Sequence, residues 1–142
     1  MVELCPECGA GWSGDENCQA VFDQFLALEF SDLGYGQVHF LTVACYMIQH
    51  GQYSDEALVW IKEQLRAYLE DNLPIEEIRR SSTEKVSSQH RDWKVTRSEE
   101  APPAEKVNWS MTIMDVARNY QDAPSYRGLI RQWAEATLAE MP

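Results

Sequence analysis

Two cysteines near the amino end, in the spacing Cys-x-x-Cys, constrain the fold of this chain more than any other feature. Cys5 and Cys8 are followed directly by Gly9, and a third cysteine, Cys18, stands near the start of a predicted helix. The spacing lets two thiolates reach one ion, and glycine permits the tight turn that directs backbone amides at sulfur. The positive end of a helix favours the thiolate form of the third cysteine. Three soft ligands this close together predict a zinc site.

Other uses of the cysteines fit the sequence less well. A thioredoxin-type redox pair follows a strand, and residues 1–4 are too few to form one. An iron–sulfur cluster would need Cys45, and the usual cluster spacings are absent. Burial of free cysteines as small hydrophobic residues remains an alternative. The first residues have neither a basic start nor an apolar core, so we expect a cytoplasmic protein, where metal binding is favoured over disulfides.

Apolar residues recur at three- and four-residue steps along most of the chain, and this periodicity predicts an all-α fold. The helix expected at residues 37–50 is apolar nearly all round, as is typical of a helix in the middle of a bundle. The predicted architecture is a small helical bundle of about five helices with an N-terminal zinc knuckle. Helix starts are predicted near Ser13, Gln37, Ser54, Thr112 and Pro124, with a short helix after Pro74.

We expect residues 1–142 to form a single helical domain, because 142 residues is a usual length for one domain. Residues 1–18 are the cysteine-rich knuckle, which we expect to pack on the first helical hairpin. The helical pattern stops over residues 81–108, which are rich in serine, proline and charge and predict a long polar loop. No window approaches the roughly 18 consecutive apolar residues of a membrane span, so we expect no membrane contact.

Helix geometry selects the fourth zinc ligand. In an antiparallel hairpin about the glycine-rich turn near residue 34, Cys18 lies about 15 residues before the turn and His50 about 16 after it, so they share one end. Cys45 lies about one helical turn away and is the alternative fourth ligand, while His39 is near the opposite end. A closed site of three cysteines and one histidine has no open coordination position and is structural. The predicted metal ligands are Cys5, Cys8, Cys18 and His50.

His39 is expected near the level of Glu29 in the same hairpin. This pair suggests an alternative, a metal-dependent enzyme using His39 and Glu29, with His90 as a further candidate. The simpler interpretation is a histidine that hydrogen-bonds a carboxylate and locks the hairpin, and it is favoured because such pairs are common and specify little. No nucleophile elbow, phosphate-binding glycine loop or His-Glu-x-x-His helix occurs, so the sequence favours a protein that is not an enzyme.

The charge of the chain is unevenly divided. The whole sequence carries 12 Lys+Arg and 23 Asp+Glu, a formal net charge of −11. Residues 1–77 hold 2 bases and 14 acids, a balance of −12, and residues 78–142 hold 10 bases and 9 acids, a balance of +1. An acidic body disfavours nucleic acid as a ligand. It suggests a protein partner, and it supports a further alternative, an acidic inhibitor or immunity-type protein.

The order of these motifs resembles a small uncharacterised bacterial family, a domain of unknown function. The resemblance covers nearly the whole chain, and it rests on the Cys-Pro-x-Cys-Gly knuckle, a third cysteine, the His-x-Leu-Thr-Val stretch from His39, and the pair Gln49-His50. It implies a stand-alone cytoplasmic metal-binding protein with no established activity. Gly51 departs from the pattern, in which proline often follows the Gln-His pair. Our leading hypothesis is a zinc-stabilised helical binding or adaptor protein.

Overall fold

The computed structural model describes most of the chain and leaves one long gap. The described residues are 3–12, 14, 16–72, 74, 76–77 and 107–141. The predicted polar loop at 81–108 therefore lies outside the described residues, apart from its last two positions. His90 and Ser13 also lie outside them.

Contacts divide the chain into two compact units. The first unit consists of Met1–His50 and Glu105–Pro142, and the second of Gly51–Ala104. The expectation of a single domain stays a prediction. The described residues contain two short strands and six helices, in the order β1 Glu3–Leu4, β2 Gly11–Trp12, α1 Cys18–Ser31, α2 Leu33–Gly36, α3 His39–Gln49, α4 Asp55–Glu70, α5 Ile113–Asn119 and α6 Ala123–Glu140. The prediction of a predominantly helical protein is thus confirmed.

The first unit opens with a small antiparallel hairpin that the sequence did not predict. Strands β1 and β2 pair Glu3 with Trp12 and Leu4 with Gly11. Two residues per strand are too few to produce a visible period-2 pattern, so no sequence signal was available. The hairpin brackets the Cys-x-x-Cys turn and fixes both of its ends.

Helix α1 begins at Cys18, and the predicted start at Ser13 is wrong. The cap is Asn17, whose side chain accepts a hydrogen bond from the Ala20 backbone N–H at 2.8 Å. Gly14 lies inside the turn predicted to be helical, and its φ of +67° is incompatible with a right-handed helix. The spacing of Ser13 and Glu16 matches a capping box, but the helix starts later, at Cys18.

Helix α3 lies in the middle of the first unit, as its apolar surface predicts. It packs against both α1 and α6, and α5 packs against α1 and α6. At the end of α3, the Gln49 side-chain amide donates to the Met111 carbonyl at 2.8 Å and to Thr137 Oγ1 at 3.0 Å. These two bonds tie α3 to the carboxy-terminal helices. The largest fully buried side chains of this unit are Trp133, Tyr126, Phe25, Leu41, Ile113 and Ile130.

The carboxy-terminal helices start where their capping residues indicate. At α5, the Thr112 backbone N–H donates to Asp115 Oδ2 at 2.8 Å, which completes the predicted capping box. At α6, the Asp122 side chain accepts from the Ser125 N–H at 2.9 Å, and Pro124 occupies the first turn.

The second unit contains α4, which begins after Ser54 as predicted. The Ser54 side chain accepts from the Ala57 N–H at 3.2 Å, and Asp55 and Glu56 place negative charge in the first turn. The helix buries Ala57, Ile61 and Leu65. Among the described residues of both units, no helix has the length and apolar character needed to cross a membrane.

Candidate metal centre

One cluster in the first unit gathers three thiols and an imidazole. The side chains of Cys5, Cys8, Cys18 and His50 each offer one ligand atom, and these atoms all lie within 4.8 Å of one another. All four residues are buried. The structure therefore brings together the four residues selected from the sequence, at a spacing that suits one metal ion.

The knuckle supplies the first two thiols from a single tight turn. The Cys8 backbone N–H points at Cys5 Sγ at 3.5 Å, and the Cys5 N–H donates to the Ala10 carbonyl at 2.8 Å. Gly9 makes the turn possible because its φ of +82° is accessible to glycine without strain. Backbone amides aimed at sulfur stabilise a thiolate, so this turn is prepared to hold a cation.

The third thiol comes from the first turn of α1. Asn17 caps the helix, and Cys18 as its first residue lies at the positive end of the helix dipole. Its Sγ lies 3.6 Å from Cys8 Sγ. Helix α1 therefore connects the metal centre directly to the bundle.

His50 completes the cluster at the end of α3, where its ring orientation is set by two contacts. Its Nδ1 lies 2.8 Å from the Tyr46 carbonyl oxygen. A carbonyl can only accept, so Nδ1 carries a proton and the lone pair for a metal is on Nε2. The ring also stacks on Tyr46 at 4.1 Å, and Tyr46 in turn stacks on Phe22 at 3.9 Å. The imidazole is held as a metal-binding histidine usually is.

The protonation of the cluster reflects the closeness of its members. The hydrogen bond from Cys18, and then that from His50, lowers the pKa of Cys8 against the effect of burial. The same bond to Cys8, together with burial, raises the pKa of Cys18, and burial raises the pKa of Cys5. For His50, burial alone would lower the pKa, but the contact with Cys8 raises it above the usual value. A metal ion would replace the shared protons, because thiolate and neutral imidazole are the binding forms.

Cys45, the alternative fourth ligand, is not brought into the cluster. It lies on the buried face of α3 with no exposed surface, and burial raises the pKa of its thiol to about 12. It therefore behaves as a small apolar core residue.

Glu29 and His39 form a second cluster at the opposite end of the α1–α3 pair. Glu29 Oε1 lies 2.7 Å from His39 Nδ1, and Glu29 Oε2 accepts from Thr42 Oγ1 at 2.6 Å. The Tyr126 hydroxyl donates to the same Oε2. Burial, and then the bond to Glu29, raises the pKa of Tyr126. The structure thus brings Glu29 and His39 together, as their positions in the hairpin indicated.

Three donors converge on the Glu29 carboxylate, and they come from two other helices. Such a carboxylate is an acceptor at both oxygens, so it joins α1 to α3 and α6. Among the described residues, no third His, Cys, Asp or Glu side chain joins Glu29 and His39 in a ligand group. The sequence did not identify Tyr126 as a member of this cluster, because an aromatic residue at helical spacing is usually a core packing residue.

These features define a predominantly helical protein with a candidate metal centre of three cysteines and one histidine in its amino-terminal part. The family of unknown function DUF5946 matches residues 3–142, and the chain belongs to that family. No curated protein and no solved structure matches it significantly.

Proposed function

We propose that the protein is a zinc-stabilised helical binding protein whose centre of three cysteines and one histidine is structural. The observation that carries this proposal is the convergence of four buried ligand atoms within 4.8 Å of one another. Four protein ligands fill a tetrahedral site and leave no position for water or substrate, which is the pattern of structural zinc.

Zinc is favoured over other ions by the chemistry of the donors. Thiolates select soft or borderline ions, and the imidazole suits zinc as well. All four cysteines of the described residues are free thiols. Because thiols persist in reducing compartments, we infer that the protein works in the cytoplasm.

The metal would join a knuckle that is too small to fold alone to the helical pair. Cys5 and Cys8 lie in the β1–β2 hairpin, Cys18 begins α1, and His50 ends α3. An ion bound to all four therefore links three separate pieces of backbone. Such sites contribute directly to folding, because the unfolded chain has no preformed site.

Metal analysis of the purified protein tests the proposal. We expect one zinc per chain that survives dialysis, and cooperative unfolding when a strong chelator is added. His50→Ala should lose the zinc, and His50→Cys should retain it in a site with four thiolate ligands. Cys45→Ala is the matched control, since it removes a buried thiol outside the cluster and should keep the metal. Full zinc in His50→Ala with loss of zinc in Cys45→Ala would overturn the ligand assignment.

The partner of the proposed binding protein is suggested by charge. Residues 1–77 carry a balance of −12, which favours a basic protein partner, as expected of an adaptor or an acidic inhibitor or immunity-type protein. Complex formation with such a partner should weaken steeply as salt is raised from about 0.05 to about 0.5 M, because added salt screens exposed charge pairs. Affinity that is independent of salt would reject the acidic surface as the binding determinant.

A further inference from the structure

The Glu29 cluster is the second group of reactive side chains in the described residues, and its hydrogen bonds are divided in a specific way. Oε2 accepts from Thr42 and Tyr126, whereas Oε1 faces His39. Thr42 and Tyr126 are fully buried, so they hold the carboxylate in one orientation. One carboxylate oxygen is thereby reserved for the imidazole.

This arrangement fixes how His39 is presented. Because Glu29 is held as an acceptor, Nδ1 of His39 carries the proton and Nε2 carries the lone pair. The Glu29 side chain is 0% exposed, whereas the His39 side chain is 34% exposed. The Nδ1 side of the ring therefore meets the buried carboxylate, and about a third of the imidazole side chain is exposed to solvent.

One exposed aromatic residue, Phe30, lies beside His39 in an acidic part of the chain. The Phe30 ring centroid lies 5.0 Å from that of His39, and Phe30 is 76% exposed. Residues 1–50, the amino-terminal part of this unit, hold seven Asp and Glu and no Lys or Arg, which disfavours anionic substrates such as phosphate esters. An uncharged molecule with an apolar group is the class of ligand that this surface fits.

We propose that Glu29 and His39 form a carboxylate–histidine dyad in which His39 acts as a general base toward water in the hydrolysis of uncharged carboxylic esters. Nε2 takes a proton from water while the water oxygen forms a bond to the acyl carbon. The ester C–O bond then breaks, and the alcohol leaves with the proton from the imidazolium, so that ester and water become acid and alcohol. Glu29 is a positioning residue that stabilises the imidazolium.

The dyad is independent of the metal centre. Glu29 lies near the carboxyl end of α1, and Cys18 at its amino end, so the two clusters are separated by most of the helix. Ester hydrolysis by the metal-loaded protein tests this inference whether or not the metal is structural.

Hydrolysis of p-nitrophenyl acetate by the purified protein is the test, with 4-methylimidazole at equal concentration as the reference. We expect the protein to exceed the reference and His39→Gln to lower kcat/KM by roughly 100-fold. Phe30→Ser should raise KM and leave kcat unchanged. Glu16→Gln, the same chemical change at an exposed position, should match the wild type.

The role of Glu29 is tested by a readout that a purely structural role would not move. Glu29→Gln should lower kcat at least about tenfold with KM unchanged, and the downfield Nδ1 proton resonance of His39 should disappear from the NMR spectrum. If Glu29→Gln does not fold, the wild-type resonance and the His39→Gln kinetics decide the question. A wild-type rate no higher than that of 4-methylimidazole, or an unchanged rate in His39→Gln, would overturn the proposal.

Discussion

Tyr126 shows how a single hydroxyl can hold a buried charge in place. It is fully buried, and its OH donates to Glu29, which has only His39 and Thr42 as its other partners in the described residues. Removing one donor from a buried carboxylate leaves part of its desolvation cost uncompensated.

We therefore expect Tyr126→Phe to lower the free energy of unfolding by roughly 1–3 kcal/mol. The measurement is urea unfolding followed by circular dichroism. Tyr120→Phe is the control, because Tyr120 packs in the same aromatic group, with its ring centroid 5.3 Å from that of Tyr126. Equal losses in the two variants would show that the effect does not come from the hydrogen bond between Tyr126 and Glu29.

The two clusters differ in how far single residues could be predicted from sequence. Cys18 and His50 were predicted to be neighbours by counting residues from the turn. In an antiparallel helical pair, residues at equal distances before and after the turn lie side by side. Thr42 and Tyr126 could not be found this way. Their contacts with Glu29 depend on tertiary packing, since Tyr126 belongs to α6, and that packing leaves no signal in the sequence.

At the scale of elements, the glycines of α2 and α6 have opposite roles. A Cβ at Gly36 would lie 2.6 Å from the Glu29 carbonyl oxygen, whereas a Cβ at Gly128 would meet nothing within 4 Å. The first glycine permits the close approach of α2 to α1. The second only lowers the stability of an exposed stretch of α6.

Gly36→Ala should therefore destabilise the protein, and Gly128→Ala should stabilise it by about 0.5–1 kcal/mol. Thermal unfolding of the two variants beside the wild type measures the difference. Because the added methyl group is the same in both, each variant is the control for the other. A gain of stability in Gly36→Ala would contradict the close packing of α2 on α1.

The start of α6 gives a pH dependence of known sign. The backbone N–H of Ser125, and then its side chain, lowers the pKa of Asp122. A carboxyl whose folded pKa is depressed stabilises the fold above its unfolded pKa, and the contribution is lost as pH falls through the folded pKa.

We expect the melting temperature of the wild type to fall more steeply below about pH 4 than that of Asp122→Asn. Asparagine keeps the capping acceptor but does not titrate, so it isolates the charge from the cap. Parallel melting curves for the two proteins between about pH 6 and about pH 3 would show that Asp122 does not contribute to the loss of stability in acid.

Element boundaries were the weakest part of the sequence prediction, and the reasons are local. Ser54 and Thr112 were identifiable as caps because each precedes a periodic apolar run, and Pro124 marked the start of α6. The start of α1 was predicted wrongly because the positive φ of Gly14 cannot be inferred from the sequence. The β1–β2 hairpin encloses the tight turn from Cys5 to Cys8, and strands of two residues are too short to show an alternating pattern in the sequence.

At the scale of the whole molecule, our proposal couples zinc binding to the folding equilibrium. Zinc that binds the folded chain alone should raise the free energy of unfolding by about 1.4 kcal/mol for each tenfold increase in free zinc above Kd. Thermal unfolding in zinc-buffered solutions measures this slope. The His50→Ala protein should show no slope, and a wild-type curve that is flat over the same range would refute a structural role.

The four candidate ligands all lie between residues 5 and 50, although the unit that contains them is completed by Glu105–Pro142. During synthesis these ligands leave the ribosome well before α5 and α6 exist, because chains emerge amino end first. A metal ion captured at that point would hold the knuckle, α1 and α3 in register around an uncovered Glu29 until Tyr126 arrives. The order of the residues along the chain thus allows the candidate metal centre to form before α5 and α6 are synthesised.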